Sequence, residues 1–208
     1  LPDIIATLWQ ARDVAKHDKN VPLSQAIKII MNSFYGVLGT PGCRVHDSRL
    51  TSSITKRSHA IILQTVKLIE AEGYDVIYGD TDSVFVSLQK ACDNQQATEI
   101  GNRLVMLVNQ YWKQTLKKEH DLPCYLEMEF ETHFNQFFMP TIRGSEQGSK
   151  KRYAGLVEDE NGNRVIHYKG LETVRTDWTE LAKSFQQKLY QLIFDGEAYE
   201  DYILLTIE

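Results

Sequence analysis

Three observations on the sequence predict an α+β fold. Helical periodicity runs through most of residues 1–71 and returns over 95–117 and after 177. Short apolar runs, alternating or bounded by turn residues, fill the space between these stretches. Those runs follow one another without a helix after each, so a helical hairpin and an antiparallel sheet with packed helices are expected, not a doubly wound parallel sheet.

The elements follow in order. Residues 2–17 place Ile4, Ile5, Leu8 and Trp9 at helical spacing. HDKNVP ends that helix, since Asn20 and Pro22 are turn residues and Pro22 cannot continue it. A second helix is predicted from Ser24, read as its N-cap, to about Leu38. GTPGCRVHDS is a loop punctuated by Gly39, Pro41 and Gly42. A long helix over 51–71 precedes DVIYGDTDSVFV, two apolar runs around a tight turn and therefore a β-hairpin. A helix over 95–117 comes next. Residues 123–140 alternate as strands do (CYLEMEFE, FNQFFM), and KKRYAGLV and RVIHYKG pair across EDENGN. Residues 177–194 and the tail from Tyr199 read as helical.

At 208 residues the chain can bury a real core. No apolar run approaches the 18 or so residues of a transmembrane helix, and LPDIIATLWQARD lacks the basic-then-apolar order of a signal peptide. A start at Leu1 without Met points to an excised fragment. Cys43, Cys92 and Cys124 are odd in number and lack CxxC spacing, which disfavours a disulfide framework or zinc site and favours a reducing cytoplasm. A net charge of −5 is not that of a general nucleic-acid binder. The charge is uneven, however: residues 1–67 carry nine Lys/Arg against four Asp/Glu, leaving the remainder at −10. This fits a basic anion-binding face beside an acidic, metal-binding region.

Within DVIYGDTDSVFV, side chains two apart on a strand share a face, so Asp80 and Asp82 can converge where the turn is tight. Close carboxylates repel unless a cation or proton offsets them, and Mg²⁺ is the natural oxygen-seeking candidate. An Asp-rich turn that bonds its own backbone is the structural alternative. A strand followed by DxD also resembles the nucleophile motif of haloacid-dehalogenase-type phosphatases, which would make Asp80 the nucleophile. On the second helix, Asn32 and Tyr35 each lie within about 40° of Lys28 around the axis. Ile27, Ile30, Met31, Phe34 and Leu38 form a separate apolar face. Arg12 and Lys16 share a face of the first helix, and with Lys28 they would suit a polyphosphate, against the alternative of a solvated helix face. His46, His59, His120, His133 and His167 lack ligand spacing, and the Val105–Trp112 cluster reads as helix packing.

Lys28-x-x-x-Asn32-Ser33-x-Tyr35-Gly36 followed by Tyr78-Gly79-Asp80-Thr81-Asp82-Ser83 resembles two sequential signature motifs of family B DNA polymerases. Lys150-Lys151-Arg152-Tyr153-Ala154-Gly155 resembles that family's KKRY element, and Lys169-Gly170-Leu171-Glu172-Thr173-Val174-Arg175-x-Asp177 resembles its primer-contacting segment. The resemblance covers essentially the whole chain. It implies a fingers helical hairpin over 1–40, part of a palm over 41–175 and the start of a thumb over 176–208.

By this resemblance Arg12, Lys16, Lys28, Asn32 and Tyr35 bind the incoming dNTP, and Gly36 leaves room for a passing base pair. Asp82 is the metal-ligating carboxylate, Asp80 stands nearby, and Glu131 is a third, peripheral acid. Gly79 and Thr81 meet the primer terminus; Lys151, Arg152, Tyr153, Lys169 and Arg175 contact primer–template backbone, which positions without reading sequence. The implied chemistry transfers dNMP to a primer 3′-hydroxyl with two Mg²⁺ ions about 4 Å apart. The implied setting is DNA replication or repair in a bacterial cytoplasm, at the nucleoid, with a sliding clamp as a further partner through other regions. The family's first metal-binding motif is absent from this chain, which is therefore expected not to polymerise DNA alone. A non-catalytic nucleic-acid-binding module is the alternative of a different class, and it has no use for Asp80 and Asp82.

Overall fold

The structure, a computed structural model, describes residues 2–141, 144, 148–149, 151–159 and 161–207. Lys150 of the KKRY block and Glu160 of the acidic turn lie outside them. Packing divides the chain into two units, one up to Leu63 and one from Gln64.

The first unit is helical. α1 (Pro2–His17) packs against α2 (Val21–Gly39), and α3 (Ser48–Ala71) begins here after a loop. The α1–α2 turn takes Lys19 into the left-handed region (φ 54°), and Asn20 Oδ1 then accepts from Leu23 N at 3.2 Å. Asn20, not Ser24, is thus the N-cap. Pro22 lies in the first turn, where an amide hydrogen has no intrahelical partner anyway, so it starts α2 as well as excluding α1. Ile5, Leu8, Trp9, Arg12 and Ala15 of α1 and Ile27, Met31, Phe34 and Leu38 of α2 are buried or half-buried. Ile30, expected in that stripe, lies about 60° from Ile27 around the axis and is 49% exposed.

In the second unit β1 (Asp75–Asp80) and β2 (Ser83–Ser87) form the antiparallel hairpin, closing at the pair Asp80–Ser83. α4 (Asn94–His120) is capped by Asp93, whose Oδ1 accepts from Gln96 N at 2.7 Å. It ends at His120, three residues beyond the expected end, with Asp121 as its left-handed C-cap. A three-stranded antiparallel sheet follows: β3 (Gln136–Phe138), β4 (Tyr153–Glu158) and β5 (Arg164–Lys169), in that spatial order. A 3₁₀ turn (Glu172–Val174) leads to α5 (Glu180–Asp195), capped by Thr179, and α6 (Glu200–Ile207). The mixed helical and antiparallel fold is as expected.

Residues 123–135 correct the strand expectation. Cys124, Leu126, Met128 and Phe130 are half-buried while Tyr125, Glu127, Glu129 and Glu131 are exposed, so the alternation is real. Among the described residues, however, this segment joins no strand ladder. It lies along α4, where the Asn109 amide takes the place of a strand partner. Asn109 Oδ1 accepts from Met128 N at 2.8 Å and its Nδ2 donates to Met128 O at 2.9 Å. Gly101 of α4 leaves room for the Phe130 ring, which a Cβ there would overlap.

Ala154, Leu156, Leu171, Tyr190 and Phe194 make a buried cluster that fixes α5 to the sheet. Phe85 of β2 seats the hairpin on the same sheet, its ring 5.2 Å from those of Phe137 and Tyr153. Each aromatic pair of this kind contributes about 0.5–1.5 kcal/mol beyond area burial.

Candidate active site

The turn of the hairpin is Thr81-Asp82, between the paired Asp80 and Ser83. Thr81 takes φ 48°, a left-handed conformation that is costly for a β-branched residue. Its hydroxyl donates to Asp80 Oδ1 at 3.0 Å. The strand-alternation argument stops at Asp80, because Asp82 sits in the turn and not on a strand. The two acids consequently have different settings: the Asp80 side chain is 26% exposed, whereas Asp82 is open to solvent, with Ser83 Oγ 3.5 Å from its Oδ1.

Lys151 brings a cation to Asp80, its Nζ 3.4 Å from Oδ1. Its backbone is fixed from two sides. The Lys151 amide donates to Tyr78 Oη at 2.7 Å, and Gly170 (φ 61°) passes so close that a Cβ would overlap the Lys151 carbonyl oxygen. Lys151 itself takes φ 62°. Tyr153 follows, on the face of Phe85. Burial pushes its hydroxyl above its ordinary value, and the nearby Glu131, Tyr78 and Asp80 add to that. Asp80, Lys151, Tyr153 and the charge of Glu131 are thus gathered around one hairpin.

The other residues predicted for DNA have different surroundings. Lys169 is exposed on β5, opposite Tyr153 in register. The Arg152 guanidinium is bound to Glu172 Oε1, and Glu172 Oε2 accepts from Gln186 Nε2 at 2.7 Å. Burial works to raise the Glu172 carboxyl, but hydrogen bonds from Gln186 and Arg152 outweigh it and set the group below its ordinary value. Arg175 forks onto Asp177, with Nε and Nη2 at 2.9 and 2.6 Å from its two oxygens. Two of the predicted cations are therefore matched by carboxylates of this chain. Tyr78, Gly170 and Glu172 stand inside the motifs without an assigned role, and Phe85 and Gln186 escape the sequence reading.

In the helical unit Lys28, Asn32 and Tyr35 are exposed along one side of α2. Tyr35 Oη lies 2.9 Å from Thr55 Oγ1, beside a shallow hollow lined by Thr51, Ser52 and Lys56. Lys16 is exposed on α1, whereas Arg12 is half-buried, with its Nε shielded from solvent and without a hydrogen-bond partner. A Cβ on Gly36 would meet nothing within 4 Å.

Among the described residues no three His, Cys, Asp or Glu side chains gather as a metal site. The hairpin carboxylates are hard oxygen donors of the right chemistry for Mg²⁺, but they fit it only as part of a shell. No described helix is long and apolar enough to cross a membrane.

A helical hairpin with a polar, cation-bearing side and an acidic hairpin braced on an antiparallel sheet make up this α+β chain. The chain belongs to DNA polymerase family B, whose model matches residues 6–206. It is 58% identical over its whole length to DNA polymerase II of Escherichia coli, of which it covers 26%. It is 34% identical over 169 residues to a DNA polymerase of Archaeoglobus fulgidus, covering 81% of this chain and 18% of that protein. The family B DNA polymerase structure from Pyrobaculum calidifontis shares the fold, with a TM-score of 0.59 at 24% identity over 99% of this chain and 24% of that one. The chain thus spans about a quarter or less of the relatives named here.

Proposed function

We propose that this chain forms the fingers (1–40), part of the palm (41–175) and the start of the thumb (176–208) of a template-directed DNA polymerase. The observation that carries the reading is the seating of the Asp80–Asp82 hairpin on the sheet through Phe85, with Lys151 3.4 Å from Asp80. Two sequence blocks some 70 residues apart converge there. A phosphatase reading does not fit, because β1 returns at once through antiparallel β2 and no crossover follows. A non-catalytic binding module leaves the exposed Asp82 and the strained Thr81 without a purpose.

In the proposed site Asp82, the exposed acid, is the principal metal ligand, with Asp80 and Glu131 flanking it. Mg²⁺ bound there supplies charge neutralisation and activation of the primer 3′-hydroxyl in a two-metal displacement. Lys151, Tyr153 and Lys169 meet the primer–template backbone, and Gly79 and Thr81 meet the primer terminus. Arg152 and Arg175 serve that surface through their carboxylate pairs. Arg12, Lys16, Lys28 and Asn32 take the triphosphate, and Tyr35 packs at the nascent base pair. Gly36, which no protein contact constrains, leaves that pair room. Replication or repair synthesis in the bacterial cytoplasm, with a sliding clamp engaged elsewhere in the polypeptide, is the accompanying proposal.

Because the family's first metal-binding motif is absent from residues 1–208, they are expected to be inactive alone. The test is Mg²⁺-dependent extension of a labelled primer by the full-length polypeptide that contains them. Extension abolished by Asp82→Ala and absent from residues 1–208 supports the reading. Undiminished extension by Asp82→Ala contradicts it.

A further inference from the structure

Gln186 lies on α5, outside every sequence block that pointed to function, yet its amide joins two of them. The Thr173 amide donates to Gln186 Oε1 at 2.9 Å, and Gln186 Nε2 donates to Glu172 Oε2 at 2.7 Å. The other oxygen of Glu172 accepts from Arg152 Nη2. A carboxamide accepts at one end and donates at the other in a fixed geometry. Thr173 belongs to the 3₁₀ turn that delivers Arg175, and Arg152 lies between Lys151, beside Asp80, and Tyr153, on Phe85. One amide on α5 therefore pins both backbone segments.

The surroundings leave this relay little slack. The Glu172 side chain is only 13% exposed and both its oxygens are occupied. Arg152 Nε and Thr173 Oγ1 are shielded and have no partner, so neither offers an alternative bond already made. Gln186 is half-buried, two residues short of Lys188 and one turn before the buried Tyr190.

We propose that Gln186 is a positioning residue for primer–template binding, acting through Glu172 on Arg152 and through Thr173 on the turn before Arg175. The proposal rests on the polymerase reading, in which Lys151 and Tyr153 meet primer–template and Arg175 serves that surface through its pair with Asp177. Gln186 sets where those groups stand and touches neither the primer nor the dNTP. Its loss weakens the grip on DNA and leaves dNTP binding alone.

The test uses the full-length polypeptide and fluorescence anisotropy of a dye-labelled primer–template, which needs no catalysis. Gln186→Glu keeps the acceptor for Thr173 but sets a carboxylate against Glu172. It is expected to weaken primer–template binding about tenfold, the scale of one hydrogen bond to a charged group. The half-saturating dNTP concentration in extension should stay within about twofold on the same scale. Combining Glu172→Gln with Gln186→Glu exchanges the two groups and rebuilds every bond. The amide, moved to the turn, accepts from Arg152 and donates to the carboxylate moved to α5, which still accepts from the Thr173 amide. This exchanged pair restores binding. Should Gln186→Glu fail to fold, Gln186→Met removes both bonds without adding charge, and the same tenfold loss is expected. Unchanged DNA affinity in the folded variants overturns the proposal. So does a parallel loss of DNA affinity and dNTP saturation that the exchanged pair does not repair. A wild-type protein that binds primer–template but shows no Mg²⁺-dependent extension overturns the polymerase reading instead.

Discussion

In the helical unit Lys28, Asn32 and Tyr35 share one exposed side of α2 because 3.6 residues make a turn, and nothing beyond the helix is needed to align them. In the sheet-bearing unit Asp80 owes its setting to Lys151, Tyr78, Phe85, Tyr153 and Gly170, some of them 70 or more residues apart. Local periodicity makes the first face. Long-range packing makes the second. A substitution far from the hairpin should therefore disturb the acids, whereas the face on α2 should respond chiefly to changes on its own helix and, at Tyr35, to Thr55 of α3.

The largest expected effect separates the two acids. In extension by the full-length polypeptide, Asp82→Asn should lower the maximal rate by about 10²–10³-fold, as loss of a charge-stabilising group does. Asp80→Asn should lower it only about tenfold, because Lys151 and Thr81 already satisfy that carboxylate. Equal losses would mean that the turn does not differentiate them.

Next comes a pair of glycines, read by thermal unfolding. Gly170→Ala combines a positive φ with overlap on the Lys151 carbonyl oxygen and should cost at least about 1–3 kcal/mol. Gly36→Ala lies within α2 with open space around it and should be neutral or stabilising by up to about 1 kcal/mol. If Gly36→Ala is stable yet extends primers poorly, the space it fills belongs to substrate. A stable Gly170→Ala would show that Lys151 is not fixed as described.

The smallest effect is a titration in the helical unit. The Arg49 side chain, hydrogen-bonded to Asp47, lowers that carboxyl to about 2 from 3.8. What this pair adds to stability is present above the ordinary value and fades as pH falls through about 2. Carboxyl-carbon NMR should give Asp47 a midpoint near 2, returning toward 3.8 in Arg49→Ala. A wild-type midpoint near 3.8 would mean the exposed pair does not persist in solution.

Legibility in the sequence follows the same division. α1, α2, α3, α4 and α5 are readable because helix periods are local, and the GDTDS hairpin is readable because turn residues stand between apolar runs. The cap at Asn20 is hidden by Pro22, which reads as a stop although proline is at home in a first helical turn. Residues 123–135 misled because alternation reports alternate burial, which the Asn109 amide supports as well as a strand does. Arg175 and Asp177 stand two apart, so their fork could have been suspected. The pairing of Arg152 with Glu172 and Gln186 crosses 14 to 20 residues and had no local signature. The meeting of KKRY with GDTDS has no local signature, and its geometry comes from packing alone.

The most direct measurement of the central claim is the rate of Mg²⁺-dependent primer extension against dNTP concentration, for full-length wild type, Lys28→Ala and Asp82→Ala. The account predicts that Lys28→Ala needs about tenfold more dNTP for half-saturation, the scale of one charge-assisted contact, and recovers most of its rate at saturation. Asp82→Ala should stay slow at every dNTP concentration. An Asp82→Ala protein that reaches the wild-type rate at high dNTP would contradict the account.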